Sequence, residues 1–184
     1  MDAIPLTGEP LALDLVNTRV HVPGEGALDL LATQAAFRRW LTAENGRLRV
    51  PRGEVDLDAL HALREQIAQA VEHARLGAAP PAGSLRALND AQRAAPAHRE
   101  LRWVGTRVAA TPRRIGELTT DVLAELAEAA ADLLGSASIR KVRRCEGPEC
   151  QLLFLPAHPG RRWCSPALCG NRVRVARYYQ RHKH

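Results

Sequence analysis

A mainly α-helical fold with a small antiparallel β-sheet, an α+β arrangement ending in a compact treble-clef-like module, is predicted by three features of the 184-residue sequence. Apolar residues recur at three- and four-residue steps through long stretches of the first 139 positions, and few runs alternate at the two-residue period of a strand. All four cysteines fall in the last forty residues, as Cys145/Cys150 and Cys164/Cys169, each pair enclosing four residues and the pairs separated by thirteen. Each close pair can grip two corners of a tetrahedron and the intervening segment can bring the pairs together, so the spacing predicts one structural zinc site per chain.

Leu11, Leu13 and Leu15 alternate with Ala12, Asp14 and Val16 as in a strand, yet Leu11, Leu15 and Thr18 also share a helix face, and eight residues leave both open. Asp14 and Asn17 are short polar side chains in an apolar run, which either bond neighbouring backbone or line a pocket. Residues 19–26 read as a Pro/Gly loop. Ala32 to Glu44 carries Ala36, Phe37, Trp40 and Leu41 on one helical face, a core stripe, and Asn45-Gly46 is its stop. A second helix is expected from about Asp56 to Leu76, buried through Leu57, Leu60, Ile67, Val71 and Ala74 and ended by Gly77. After the linker Ala78 to Gly83, Ser84 is placed to cap a short helix holding Leu85, Leu88 and Ala91.

Leu101 and Trp103 alternate with Arg102 and Val104, Gly105-Thr106 can turn, and Arg107 to Ala110 can return. A lone two-stranded ribbon is marginal in water, so the natural partner of this hairpin is Leu11 to Val16. A long helix from roughly Ile115 to Gly135 stacks Leu118, Val122, Leu126, Ala129 and Leu133, and should dock the C-terminal module with little linker.

In that module Gly147-Pro148 closes the first cysteine loop, and Leu152 to Leu155 should pair with Arg161 to Cys164 across a His158-Pro159-Gly160 turn. Ser165-Pro166 should start the last helix, a hydroxyl cap followed by proline at the first helical position. At about 100° per residue, Arg174, Arg177 and Arg181 cluster within about 60° with Tyr178 beside them, an outward basic stripe. Arg172 lies about 160° from Arg174 on the cysteine-bearing side and is expected, with Asn171, to serve the metal site structurally.

Two disulfides or four inert buried thiols compete with the metal reading. The N-terminal stretch M-D-A-I-P-L-T-G-E-P has neither the basic nor the apolar region of an export signal, so a reducing cytoplasm is expected, which weighs against disulfides. His158 is a further candidate ligand that four thiolates do not require, and a closed thiolate shell leaves no place for a catalytic water.

Charge divides the chain. Residues 140–184 hold eleven Lys/Arg and two acids, net +9, whereas residues 1–139 hold fifteen Lys/Arg and eighteen acids, net −3. Four thiolates around one dication leave the C-terminal segment near about +7, the footprint of a polyanion binder. Arginine makes up 24 of the 26 basic residues, a bias that a GC-rich genome produces; it explains arginine over lysine but not the segregation of charge.

The motifs L-F-L-P, G-R-R-W-C-S and C-G-N-R, at Phe154-Leu155, Arg161 to Cys164 and Cys169 to Arg172, resemble the CGNR zinc finger. Leu11 to Thr18, L-A-L-D-L-V-N-T, resembles the opening of the ABATE domain that usually precedes that finger. Pro156 departs from the pattern, which expects an acidic residue there. The resemblance implies a mostly helical ABATE-like domain over 1–139, a CGNR finger over 140–184, and a bacterial, DNA-binding, stress-related transcription regulator.

The leading expectation is therefore a non-enzymatic DNA-binding regulator. Arg161, Arg162, Arg174, Arg177 and Arg181 would contact phosphates beside Tyr178, and the N-terminal domain would sense a small molecule with Asp14 and Asn17 at its pocket. RNA binding is the alternative, since Trp163, Tyr178 and Tyr179 suit stacking on unpaired bases. An enzyme in the N-terminal domain has little support: no nucleophile-elbow, phosphate-loop or metal-hydrolase motif is present, and no cysteine lies outside the module. No apolar run approaches membrane-spanning length, so no membrane partner is expected.

Overall fold

Two long helices form the centre of the computed structural model, which describes residues 7–22, 26–48 and 53–182; the side chains of Val22, Leu168, Ala176, Arg177, Tyr179, Gln180 and Arg181 lie outside the described set. Helix α3 (Leu57–Leu76) starts where the Asp56 carboxylate accepts the N–H groups of Asp58 and Ala59 at 2.9 and 3.1 Å. It ends at Gly77, whose φ of 81° lets the chain reverse while the Ala78 N–H bonds the His73 carbonyl at 2.9 Å. Its buried stripe of Leu60, Leu63, Ile67 and Val71 faces Val122, Leu126, Ala130 and Leu133 of α5 (Leu118–Gly135). Each such leucine or isoleucine contributes roughly 1.5–3 kcal/mol by burial.

Around this pair the shorter elements close the core. Helix α4 (Ala82–Ala94) packs on α5 and α3, and α1 (Leu11–Val16) packs on the same two helices. Helix α2 (Gln34–Ala43), capped by Thr33 accepting the Ala36 N–H at 3.2 Å, adds Phe37, Trp40 and Leu41. Within the segment expected as a loop, Arg19–Val22 forms β1, which pairs with β2 (Gly26–Asp29) as a ribbon. Arg64 of α3 braces it by donating to Thr18 Oγ1 and Asp29 Oδ1, each at 2.8 Å.

Leu11 to Val16 is a helix and pairs with no strand. Ala12, Leu13, Asp14 and Leu15 are all buried in succession, so the alternating leucines do not mark one face. The predicted hairpin forms as β3 (His98–Val104) and β4 (Arg107–Arg113), in register from Val104↔Arg107 to His98↔Arg113, and has no third strand among the described residues. Ser84 is not a cap. Helix α4 starts earlier, after Pro81, and the buried Ser84 hydroxyl donates to Gln66 Oε1 at 2.8 Å.

From α5 a short 3-10 helix, Ala137–Lys141, leads into β5 (Arg143–Arg144), which pairs with β6 (Leu153–Phe154). Ile139, Val142 and Leu153 belong to the same apolar cluster as α3 and α5, while Phe154 turns into a separate cluster with the cysteines. The predicted mainly helical α+β fold with small antiparallel sheets is thus the fold that forms.

Candidate metal centre and nucleic-acid interface

The four sulfurs of Cys145, Cys150, Cys164 and Cys169 lie within 4.8 Å of one another, and none is joined in a disulfide. The Cys150 and Cys164 sulfurs are 3.9 Å apart, against an edge of about 3.8 Å for a tetrahedron with zinc–sulfur bonds of about 2.3 Å. Local backbone builds this cluster. Cys145 leaves β5 with its N–H on the Leu152 carbonyl at 2.9 Å, and the loop returns when the Cys150 N–H bonds the Gly147 carbonyl at 3.1 Å. A Cβ at Gly147 would stand 3.0 and 3.1 Å from Cys169 Cβ and Sγ, so only glycine fits that close approach without displacing a ligand.

Cys145 Sγ accepts N–H groups from Cys164 at 3.2 Å and Gly147 at 3.4 Å, and Arg172 Nη2 lies 3.1 Å from Cys169 Sγ. These donors favour thiolates. The thiols also perturb one another: the Cys164 hydrogen bond pulls Cys150 down to about 5, the Cys150 partner pushes Cys164 up, and burial pushes Cys169 up to about 11. A dication removes that mutual repulsion, so the donor set fits one structural zinc ion held by the four cysteines, with a closed shell.

The second cysteine pair is not delivered by the expected strand pairing. β6 pairs with β5, and its other edge is covered by side chains instead of residues 161–164. Asn17 Nδ2 donates to the Leu153 carbonyl and the Leu153 N–H donates to Asn17 Oδ1, both at 2.8 Å, and the Leu155 N–H bonds Glu9 Oε2 at 2.8 Å. The 161–164 segment is held through the Glu146 N–H on the Arg162 carbonyl at 3.0 Å. Beyond Cys164, Pro166 opens a π-helical turn, Pro166–Gly170, that carries Cys169 and leads into α6 (Asn171–Arg181).

Helix α6 packs mainly on that turn. Asn171 begins it, exposed; Arg174 is exposed, and Tyr178, 54% exposed, stacks on His182 with ring centroids 4.2 Å apart. Arg177 and Arg181 belong to the same helix, with side chains outside the described set. Arg162 is exposed beside Glu146, Nε to Oε2 2.6 Å, with its guanidinium 5.7 Å from the Trp163 ring.

Arg161 has partners within the chain. It sits 4.4 Å above the buried Phe154 ring and donates to Glu9 Oε1 at 2.6 Å and to the Cys164 carbonyl at 2.5 Å, so it ties the metal module to the N-terminal segment.

A family model described as ABATE, putative stress-induced transcription regulator, matches residues 9–137, and one described as the CGNR zinc finger matches residues 141–182. The chain belongs to the ABATE family. A comparison with curated proteins finds no match.

In this ABATE protein Asp14 and Asn17 have different surroundings. The Asp14 side chain is fully buried and accepts the N–H groups of Gly8 at 2.9 Å and Glu9 at 3.1 Å, with Arg47 Nη1 at 2.7 Å. The same Arg47 nitrogen reaches Glu44 Oε2 at 2.9 Å, and Nη2 reaches the Glu9 carbonyl at 2.6 Å. Burial pushes Asp14 up to about 6 against the pull of Arg47, and burial with the nearby Asp14 charge pushes Glu44 up to about 7.

Asn17 alone borders an open cleft of about 390 Å³ between β1, α3 and the β5–β6 ribbon, but its amide is engaged by Leu153. The cleft's charges are paired, Arg19 with Glu65 at 3.1 Å and Arg144 with Glu72 at 3.2 Å. Glu9, Glu44 and Arg47 carried no signal in sequence, because their roles depend on partners that only the fold assembles.

Proposed function

We propose that this ABATE-family protein is a bacterial, cytoplasmic DNA-binding regulator of transcription in a stress response, whose zinc centre holds a basic helix against the duplex. The division of labour falls near residues 139 and 140, with the finger contacting nucleic acid and the N-terminal part sensing a small molecule. The observation that carries the reading is α6: it belongs to a segment of net charge +9 and presents Arg174 and Tyr178 to solvent. Phosphate contacts are assigned to Arg162 and Arg174 and, from their helical positions, to Arg177 and Arg181. Arg162 is compatible with this because an exposed pair such as the one with Glu146 is worth little and exchanges readily for phosphate.

The sensing role goes to the cleft bordered by Asn17, Arg19, Glu72 and Arg144, where β1 meets the finger, and not to Asp14. The reading is non-enzymatic. Asp14 and Glu44, the acids pushed furthest up, have fully buried side chains joined by Arg47 and face no reactant site. No helix among the described residues is long and apolar enough to cross a membrane.

The test measures binding of the zinc-loaded chain to duplex DNA and to single-stranded RNA across a salt series. Replacing Arg174, Arg177 and Arg181 together with Ala should reduce the slope of log K against log salt by about two to three, with zinc content unchanged. Arg172→Ala, which removes a donor to Cys169, should instead lower zinc retention. Unchanged binding of the triple variant to both nucleic acids would overturn the proposal. RNA is the second reading because Tyr178 offers an exposed, stacked ring; tighter RNA binding weakened mainly by Tyr178→Ala would select it.

A further inference from the structure

The β3–β4 hairpin is a ribbon whose construction leaves one edge open. Gly105, with φ of 61° at the first position of the two-residue turn, meets the need of a type II′ hairpin, so Val104 and Arg107 form the hydrogen-bonded pair beside the turn. Alternation along the strands then turns the N–H and C=O groups of Arg99, Leu101 and Trp103 away from β4. No backbone group among the described residues meets them. The outer edge of β4 is blunted, because Pro112 stands at an outward position and has no N–H.

The two faces of the ribbon differ. Glu100, Arg102 and Arg113 share one face, where Glu100 accepts from Arg102 at 2.7 Å and Arg113 at 2.8 Å. The other carries Leu101, Trp103 and Val108, which are 67%, 70% and 57% exposed, and no helix covers them. A two-stranded ribbon presenting that much apolar surface is marginal alone in water.

We propose that β3 pairs antiparallel with β3 of a second copy of this chain, about a twofold axis through Leu101, to form a continuous four-stranded sheet. The sequence of the edge is complementary to itself. Leu101 is the midpoint of the seven-residue strand, so this register pairs the whole of β3. It sets Glu100 opposite Arg102 of the partner subunit, and by symmetry twice, so each acid meets a base and no like charges face each other. On the apolar face Leu101 meets its own copy and Arg99 lies opposite Trp103 of the partner subunit, a cation over an aromatic ring.

The outward groups of Arg99, Leu101 and Trp103 are the ones a hydrogen-bonded pair at the axis requires. The contact is isologous and closes as a dimer without propagating. Seven residues a side is below the roughly 20–30 of a standard interface, so dissociation constants on the order of micromolar are expected.

This inference is independent of nucleic acid, and so is its test. Sedimentation velocity of the zinc-loaded full chain, from about 1 to about 200 µM, should show a shift from 20.1 kDa to twice that mass. Leu101→Lys places two cations across the axis and removes two apolar side chains from the contact, and should raise the dissociation constant at least ~100-fold. Glu100→Arg and Arg102→Glu should each weaken association ~10-fold, while the double exchange should return it to within ~3-fold of wild type. Circular dichroism and zinc content establish folding, and the exchange pair decides the matter if Leu101→Lys does not fold. A wild-type chain that stays monomeric throughout, a folded Leu101→Lys chain that dimerises normally, or single exchanges that weaken association without rescue by the double would each overturn the proposal.

Discussion

Asn17→Ala tests the junction between α1 and the zinc module most directly. The Asn17 amide satisfies both backbone groups of Leu153 at 2.8 Å, and the two residues are 1% and 4% exposed. Removing the side chain leaves one buried N–H and one buried carbonyl without partners. At roughly 1.5–2 kcal/mol for each orphaned group the loss is about 3–4 kcal/mol, or roughly 10 °C in melting temperature for a chain of this length. Asn17 borders the cleft, so water reaching Leu153 would reduce the loss to about 2 kcal/mol. Calorimetry of the zinc-loaded variant gives the total, and hydrogen exchange at the Leu153 amide locates it. A melting temperature within about 1 °C of wild type, with the Leu153 amide protected as before, would refute the assignment of this bond pair as a structural tie.

Zinc removal by a chelator, or Cys169→Ser, should unfold the segment around the cysteines and also loosen α1, because β6 carries the Leu153 that completes the main core; unchanged exchange in α1 would count against that link. Asp14 and Glu44 retain protons in the folded chain that the unfolded chain has already released, so stability should fall as pH rises from about 4 to about 7 and level off above. Glu44→Gln should therefore raise the melting temperature at pH 8, by roughly 2–4 °C per kcal/mol recovered, and change it little at pH 5; equal effects at both pH values would contradict the burial argument.

What the sequence made legible was local. Asp56 and Gly77 bracket α3 because cap chemistry acts within a few residues, and the cysteine pairs declare themselves because each is enclosed in a short loop. Leu11 to Val16 leaves strand and helix open because a helix buried at four successive positions, Ala12 to Leu15, has no polar face to give its period away. The partner of β6 was hidden for another reason: its second edge is completed by Asn17 and Glu9, 136 and 146 positions distant, and nothing near Leu152 to Leu155 encodes that. Arg161 shows the same effect in reverse. It stands in a basic motif and reads as a surface cation, but Glu9, 152 positions away, draws it inward.

The way β6 is bordered bears on what could be transplanted. A strand edge completed by the side chains of Glu9 and Asn17 on either side of α1, and not by another strand, cannot be satisfied by an arbitrary host sheet. Moving residues 140–184 onto a different protein would leave the backbone of Leu153 and Leu155 and the guanidinium of Arg161 seeking an amide and a carboxylate that the graft does not carry. A portable finger that keeps these bonds therefore includes the segment from Glu9 to Asn17, a unit that is discontinuous in sequence.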